Sequence, residues 1–266
     1  MRTVKDFHFV KRLLKTLYIK DIVIAKSSED LDTILAQEPR LIIALNHGPM
    51  MGALAGLVGL ADSMQKHGGE KRSPFGITWR KFYELPIAKQ LLSFLTQINH
   101  GVGFDEACVL LQEEGFTDCV IMPEGELCNF GDGVAVLPFL SPRFIELALV
   151  NQCPVLIAVH HGSDRWAMPI KLDRRLEPLF KWLPQHMHET IKHSRTLSIP
   201  KPVKKKIPKL YMSFARYQPS LSLKTLSDNK EQRNQQLHKE AEIVRDKMKK
   251  MISLIITERR LNDLVH

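Results

Sequence analysis

The chain has 266 residues, 44% of them apolar and 25% charged, which suits one α/β domain with a sizeable core. No run of about 18 apolar residues occurs, which argues against a membrane-spanning helix, and Met1-Arg2-Thr3-Val4-Lys5-Asp6 lacks the apolar stretch of a secretory leader. The formal charge of +9 is concentrated, because residues 201–266 hold 16 Lys/Arg against 7 Asp/Glu whereas the first 200 residues hold 22 of each sign.

A basic appendage on a neutral body points to an anionic partner: lipid headgroups, nucleic acid or an acidic carrier protein. Cys108, Cys119, Cys128 and Cys153 show no metal-binding spacing and read as reduced thiols of a cytosolic protein.

In chain order, residues 5–18 predict an amphipathic helix. Val10, Leu13, Leu14 and Leu17 form its apolar face, Phe7 and Phe9 lie at its start, and Lys11, Arg12 and Lys15 lie opposite. Such a helix either lies in a membrane interface, with those cations at the headgroups, or packs on its own domain. A short strand over 21–26 and a helix over 28–37 capped by Ser27 or Ser28 follow.

Leu41-Ile42-Ile43-Ala44-Leu45 is a buried strand ending in Asn46-His47-Gly48. Helices are expected over 50–64, 85–95 and 107–114, then a strand, Cys119-Val120-Ile121-Met122, that ends in Pro123-Glu124-Gly125-Glu126. A helix over 143–151 and an apolar strand over 154–160 complete the alternation, which argues for a largely parallel central sheet.

Residues 176–208 read as an irregular basic insertion, and 209–215 as a strand. A long helix spans 228–265. Its stripe of Leu237, Ala241, Val244, Met248, Met251 and Ile255 suits packing on the domain better than a dimeric coiled coil. The expectation is a single domain over 1–266, with no repeat.

Two turns carry the chemistry. A histidine at a strand's carboxyl end sits where α/β proteins build their sites, and Asn and Gly around it suit a tight turn. Imidazole is the natural general base near neutral pH. Pro123-Glu124-Gly125 alone reads only as a turn.

Together the two turns resemble the glycerolipid acyltransferases, the superfamily of lysophosphatidate and glycerol-phosphate acyltransferases. Asn46-His47 after "PRLIIAL" is similar to that family's Asn-His block. Glu84-Leu85-Pro86 in "WRKFYELP" is similar to its second block, and Met122-Pro123-Glu124-Gly125-Glu126-Leu127 to its Phe-Pro-Glu-Gly-Thr-Arg. "FIELALVNQCPVLIAVHHG" resembles the fourth block and "KLYMSFARYQP" a late strand of these enzymes.

There are specific departures. The family's Asp, five positions after the His, falls on Gly52, and the arginines that grip an acceptor phosphate are absent, with Glu126-Leu127 in place of Thr-Arg. An orienting acid is left open among Glu124, Glu126, Asp105 and Asp132.

The resemblance implies a peripheral acyltransferase of lipid metabolism or phospholipid biosynthesis, cytoplasmic and on the inner face of a membrane. His47 and Glu124 would be catalytic, and Asn46, Gly48, Pro123, Gly125 and Glu126 would line the substrate. The donor would be acyl-CoA or an acyl-carrier protein, and the acceptor lipid-like and neutral or amine-bearing. Backbone N–H groups near Gly48 and Gly125 would hold the oxyanion. No cofactor, metal or nucleic acid is expected.

Lys11, Arg12, Lys15, Lys204, Lys205 and Lys206 would meet an anionic membrane. The alternative is a non-catalytic lipid- or acyl-binding member of the same fold. His160-His161 would line the pocket or merely end a strand. His186, His188 and His193 would hold a metal only with further ligands, and Cys128 reads as inert.

Overall fold

A computed structural model describes the chain apart from residues 50–51, 79, 85, 130–133, 181–184, 201–205 and 265–266. A few further side chains, those of Glu126, His186 and His193 among them, also lie outside the description. The elements are α1 (His8–Tyr18), β1 (Ile19–Ile24), α2 (Leu31–Gln37), β2 (Leu41–Leu45), α3 (Gly52–Lys66), β3 (Pro74–Gly76), α4 (Pro86–Thr96) and α5 (Phe104–Gln112). Then come β4 (Asp118–Ile121), α6 (Arg143–Val150), β5 (Val155–His161), β6 (Ala167–Lys171), α7 (Gln185–Ser194), β7 (Thr196–Pro200), β8 (Ile207–Tyr217) and α8 (Lys230–Leu264).

Six strands form one sheet in the order β1-β8-β5-β2-β4-β3, and β6 pairs with β7 in a separate ribbon. The central strands β5, β2, β4 and β3 run parallel, which sends their carboxyl ends to one edge. β8 runs antiparallel to β5 and parallel to β1, so the sheet is mostly and not wholly parallel.

All five residues of β2 are fully buried, as their unbroken apolar run requires for a strand covered on both faces. Their alternation assigns Ile42 and Ala44 to the layer of α5, α6 and α8, and Leu41, Ile43 and Leu45 to the layer of α2 and α3. Burying each large side chain stabilises the fold by about 1.5–3 kcal/mol. The predicted stripe of α8 is buried in the first of these layers, from Leu237 through Met248 to Ile255, so it packs on the domain.

Other expectations are corrected. Asp30, not Ser27 or Ser28, caps α2 by accepting the Thr33 N–H at 3.2 Å. The segment 176–208 is not irregular throughout, because it contains α7 and β7. Pairing with Asp118 and its neighbours on β4 draws Pro74–Gly76 into an edge strand too short to stand out in sequence. A buried Arg72 guanidinium also holds the Asp118 carboxylate, with Nε–oxygen distances of 3.0 and 2.9 Å.

The largest revision concerns α1. Lys11 and Lys15 do not face outward; their ammonium groups lie 3.0 and 3.1 Å from the buried Asp62 carboxylate of α3, which Lys66 also meets at 2.8 Å. Leu14 and Tyr18 pack against the core beside them. Phe9, Leu13 and Leu17 are left 75%, 46% and 51% exposed. The helix has turned Lys11 and Lys15 inward, leaving Arg12 exposed, because one buried carboxylate offers those amines a partner that solvent does not.

Candidate active site around His47

β2 and β5 are neighbours in parallel register, with Leu45 opposite Ala158, so the turns after them share the carboxyl edge of the sheet. Asn46 ties the two turns together. Its Nδ2 donates to the His160 carbonyl at 3.1 Å, and its Oδ1 accepts the His160 N–H at 2.7 Å. The buried amide therefore acts as one more rung of the ladder.

His47 follows, half-buried. Its Nδ1 lies 3.0 Å from the Gly48 carbonyl, which takes the ring N–H and leaves Nε2 as the basic nitrogen. Burial depresses its pKa below the usual histidine value, so the ring is neutral and able to accept a proton at pH 7. Gly48 reaches that geometry at φ +64°, open to glycine at little cost.

Glu124 arrives from the turn after β4, but it does not touch the His47 ring. Its Oε2 accepts the His47 backbone N–H at 2.7 Å and its Oε1 accepts the Leu137 N–H at 2.8 Å. Burial raises its pKa to about 7, against the opposing pull of those two N–H donors. The carboxyl thus braces the histidine turn through the backbone and not through the ring.

Pro123 is buried beside it. Gly125, at φ +54°, donates its N–H to the Met122 carbonyl at 3.0 Å, so that group is already used and is no ready oxyanion donor. Glu126 lies in the 3-10 turn Gly125–Asn129, with its side chain outside the description, as is Asp132. Asp105 is exposed in the first turn of α5.

The Gly52 departure has a local cause. A Cβ on Gly52 would lie 3.0 Å from the His47 carbonyl oxygen, the Pro49 Cδ and the Ser163 Oγ alike. Ser163 begins a 3-10 turn after Gly162, and its Oγ lies 3.0 Å from His160 Nε2. Both residues are 2% exposed, and burial lowers the His160 pKa to about 3, so this imidazole stays neutral.

A Cβ on Gly56, one turn further along α3, would come within 2.8 Å of His160 Nδ1. The glycines at 48, 52 and 56 therefore clear a space that the His160–Ser163 pair fills. The sequence signal for this was the four-residue glycine spacing. His161 points to the other side of the sheet, where Arg259 of α8 donates to its Nε2 at 3.2 Å.

Among the described residues no group of three or more His, Cys, Asp or Glu side chains could hold a metal ion. No helix among them is long and apolar enough to cross a membrane. Lys204 and Lys205 lie outside the described residues, whereas Lys206 and Arg12 are exposed. Cys128 is buried near the Glu124 turn. The scan of protein-family models finds no match for this chain, and no curated protein matches it either.

Proposed function

We propose that the protein is an acyltransferase of the glycerolipid type, moving a fatty acyl group from acyl-CoA or an acyl-carrier protein to a neutral or amine-bearing lipid-like acceptor. The observation that carries this reading is the His47 ring, with Nδ1 bound to the Gly48 carbonyl and Nε2 left as a base. An oriented imidazole needs a fixed tautomer, and a backbone carbonyl supplies that where a carboxylate would otherwise stand.

His47 Nε2 takes the proton from the acceptor hydroxyl or amine as that atom attacks the thioester carbonyl. The tetrahedral intermediate collapses by breaking the C–S bond, and the proton passes from His47 to the departing thiolate. The products are the ester or amide and the free thiol. A carbonyl compensates imidazolium charge less than a carboxylate does, so the base limb is expected to be slower than in a site with the motif Asp.

The test is thioester consumption against a panel of lipid acceptors. His47→Ala is expected to lower turnover by roughly 10²–10⁴-fold with an unchanged thermal midpoint. In the native protein the acid limb of kcat/KM should have its inflection below the ordinary histidine pKa, because burial favours the neutral ring. Equal turnover in native and His47→Ala protein overturns the reading.

A second reading, a non-catalytic acyl-binding protein on this scaffold, is favoured by one observation. Among the described residues no carboxylate reaches the His47 ring. It predicts saturable binding of acyl-CoA with no consumption by either protein.

A further inference from the structure

A helix that turns Lys11, Lys15 and Leu14 toward its own domain leaves the rest of its apolar residues to find another partner. On α1, Phe9, Leu13 and Leu17 recur every four residues and form one exposed ridge. The helix cannot roll to bury them, because Lys11 and Lys15 are held at Asp62 and Tyr18 is stacked edge-on to Trp166 at 5.5 Å between ring centroids.

Cations flank the ridge and its C-terminal end, while the exposed Asp6 carboxylate, bonded to the Thr3 N–H, lies before its start. Arg12 is exposed on the same outward side, and exposed Lys20 follows directly after the helix in β1. The parallel register pairs Ile19 with Ile207, which brings exposed Lys206 to the same end. The acidic Asp21 of that edge sits opposite Lys209. The sequence shows a basic helix at one terminus and a basic run about 190 residues later as separate segments; the fold brings Lys206, the described end of the second, beside the end of the first.

We propose that α1 and the adjoining start of β8 form a docking face for an anionic phospholipid surface. Phe9, Leu13 and Leu17 enter the headgroup layer, and Arg12, Lys20 and Lys206 meet the phosphates. An interfacial helix with an apolar ridge and a basic rim fits that solvent boundary. A second copy of the chain fits poorly. The ridge spans about 12 Å of a helix about 10 Å wide, on the order of 120 Å², well short of the roughly 800 Å² per partner of a stable interface, and two such rims would repel each other. The proposal stands independently of acyl transfer.

The test is co-sedimentation of the full chain with phosphatidylcholine vesicles, with and without phosphatidylglycerol. Native protein and His47→Ala should bind the phosphatidylglycerol vesicles equally and more tightly than the neutral ones, and salt should weaken the binding. Phe9→Ser/Leu13→Ser/Leu17→Ser should lose at least roughly tenfold in apparent affinity with an unchanged melting curve, since those side chains are exposed. Arg12→Glu/Lys20→Glu/Lys206→Glu should lose roughly fivefold or more per cation on the phosphatidylglycerol vesicles alone.

Leu13→Trp provides a separate readout, a blue shift of emission, beyond that of the native tryptophans, when vesicles are added. Native binding indifferent to phosphatidylglycerol, or Leu13→Trp emission that vesicles leave unmoved, overturns the proposal. So does a native dimer that the triple serine variant converts to monomer. Turnover is not read in any arm, so failure here and failure of the acyl-transfer reading are distinguishable.

Discussion

α3 meets the rest of the molecule in two different ways along its length. Its first turns carry Gly52 and Gly56, where the helix backbone approaches His47, His160 and Ser163 too closely for any side chain to intervene. Its last turns carry Asp62, which draws in Lys11, Lys15 and Lys66 and through them the whole of α1. One end attaches by closeness and the other by charge. Close packing fixes geometry but tolerates no added atom, whereas a charge clamp tolerates movement and depends on pH and salt.

Two substitutions sharpen that contrast, and a third probes the histidine turn that the glycine end packs against. Gly52→Asp, which introduces the carboxylate of the motif that the His47 turn resembles, should cost the most, about 3 kcal/mol or more in urea unfolding. It places a charge against the His47 carbonyl and Ser163 where the Cβ alone is already tight. A variant as stable as the native chain, with faster thioester turnover, would mean that the glycine end has room after all.

Asp62→Ala should cost less, about 2 kcal/mol, because two of the lysines it orphans, Lys15 and Lys66, reach solvent at 26% and 54% side-chain exposure. Trypsin should then cut within α1 before it cuts elsewhere. The three ammonium groups hold the Asp62 pKa at about 2, below the ordinary 3.8. The clamp's contribution is therefore complete above pH 3.8 and fades as pH falls through about 2. If α1 in the native chain becomes trypsin-sensitive well above that window, charge is not what holds it.

Glu124→Gln should have the smallest effect at neutral pH, about 1 kcal/mol, because the amide still offers one acceptor to the two N–H groups. Its signature is pH dependence. With the native pKa raised from 4.5 to about 7, the unfolded chain releases its proton first, so stability falls as pH rises across that interval and levels off above it. Urea midpoints of the variant should be flatter than native from pH 4.5 to 7; parallel curves would assign the slope to another group.

The sheet's centre was legible because β2 is an unbroken apolar run bounded by turn residues, and α8 because its stripe keeps helical period over many turns. The His47 turn was legible as a place but not as an arrangement. Nothing local announces that Glu124 holds a backbone N–H rather than the ring, or that Ser163, more than a hundred residues away in sequence, fills the space beside Gly52. That α1 packs on its own domain was one of two sequence readings, but which of its residues face inward was not legible, for a similar reason. Periodicity identifies two stripes on a helix, and only the position of Asp62 on another helix decides which one turns inward. Pro74–Gly76 gave too short a pattern to register, and its pairing depends wholly on β4.

The Asn46 bridge has a spectroscopic consequence. The His160 amide proton lies at the rim of the sheet, yet its acceptor is a side chain that only the folded histidine turn brings there. Its hydrogen–deuterium exchange should be as slow as that of the strand interior while the turn is intact, and should speed up with any local opening. That single proton reports whether the site is assembled, without a substrate and without an assay of turnover.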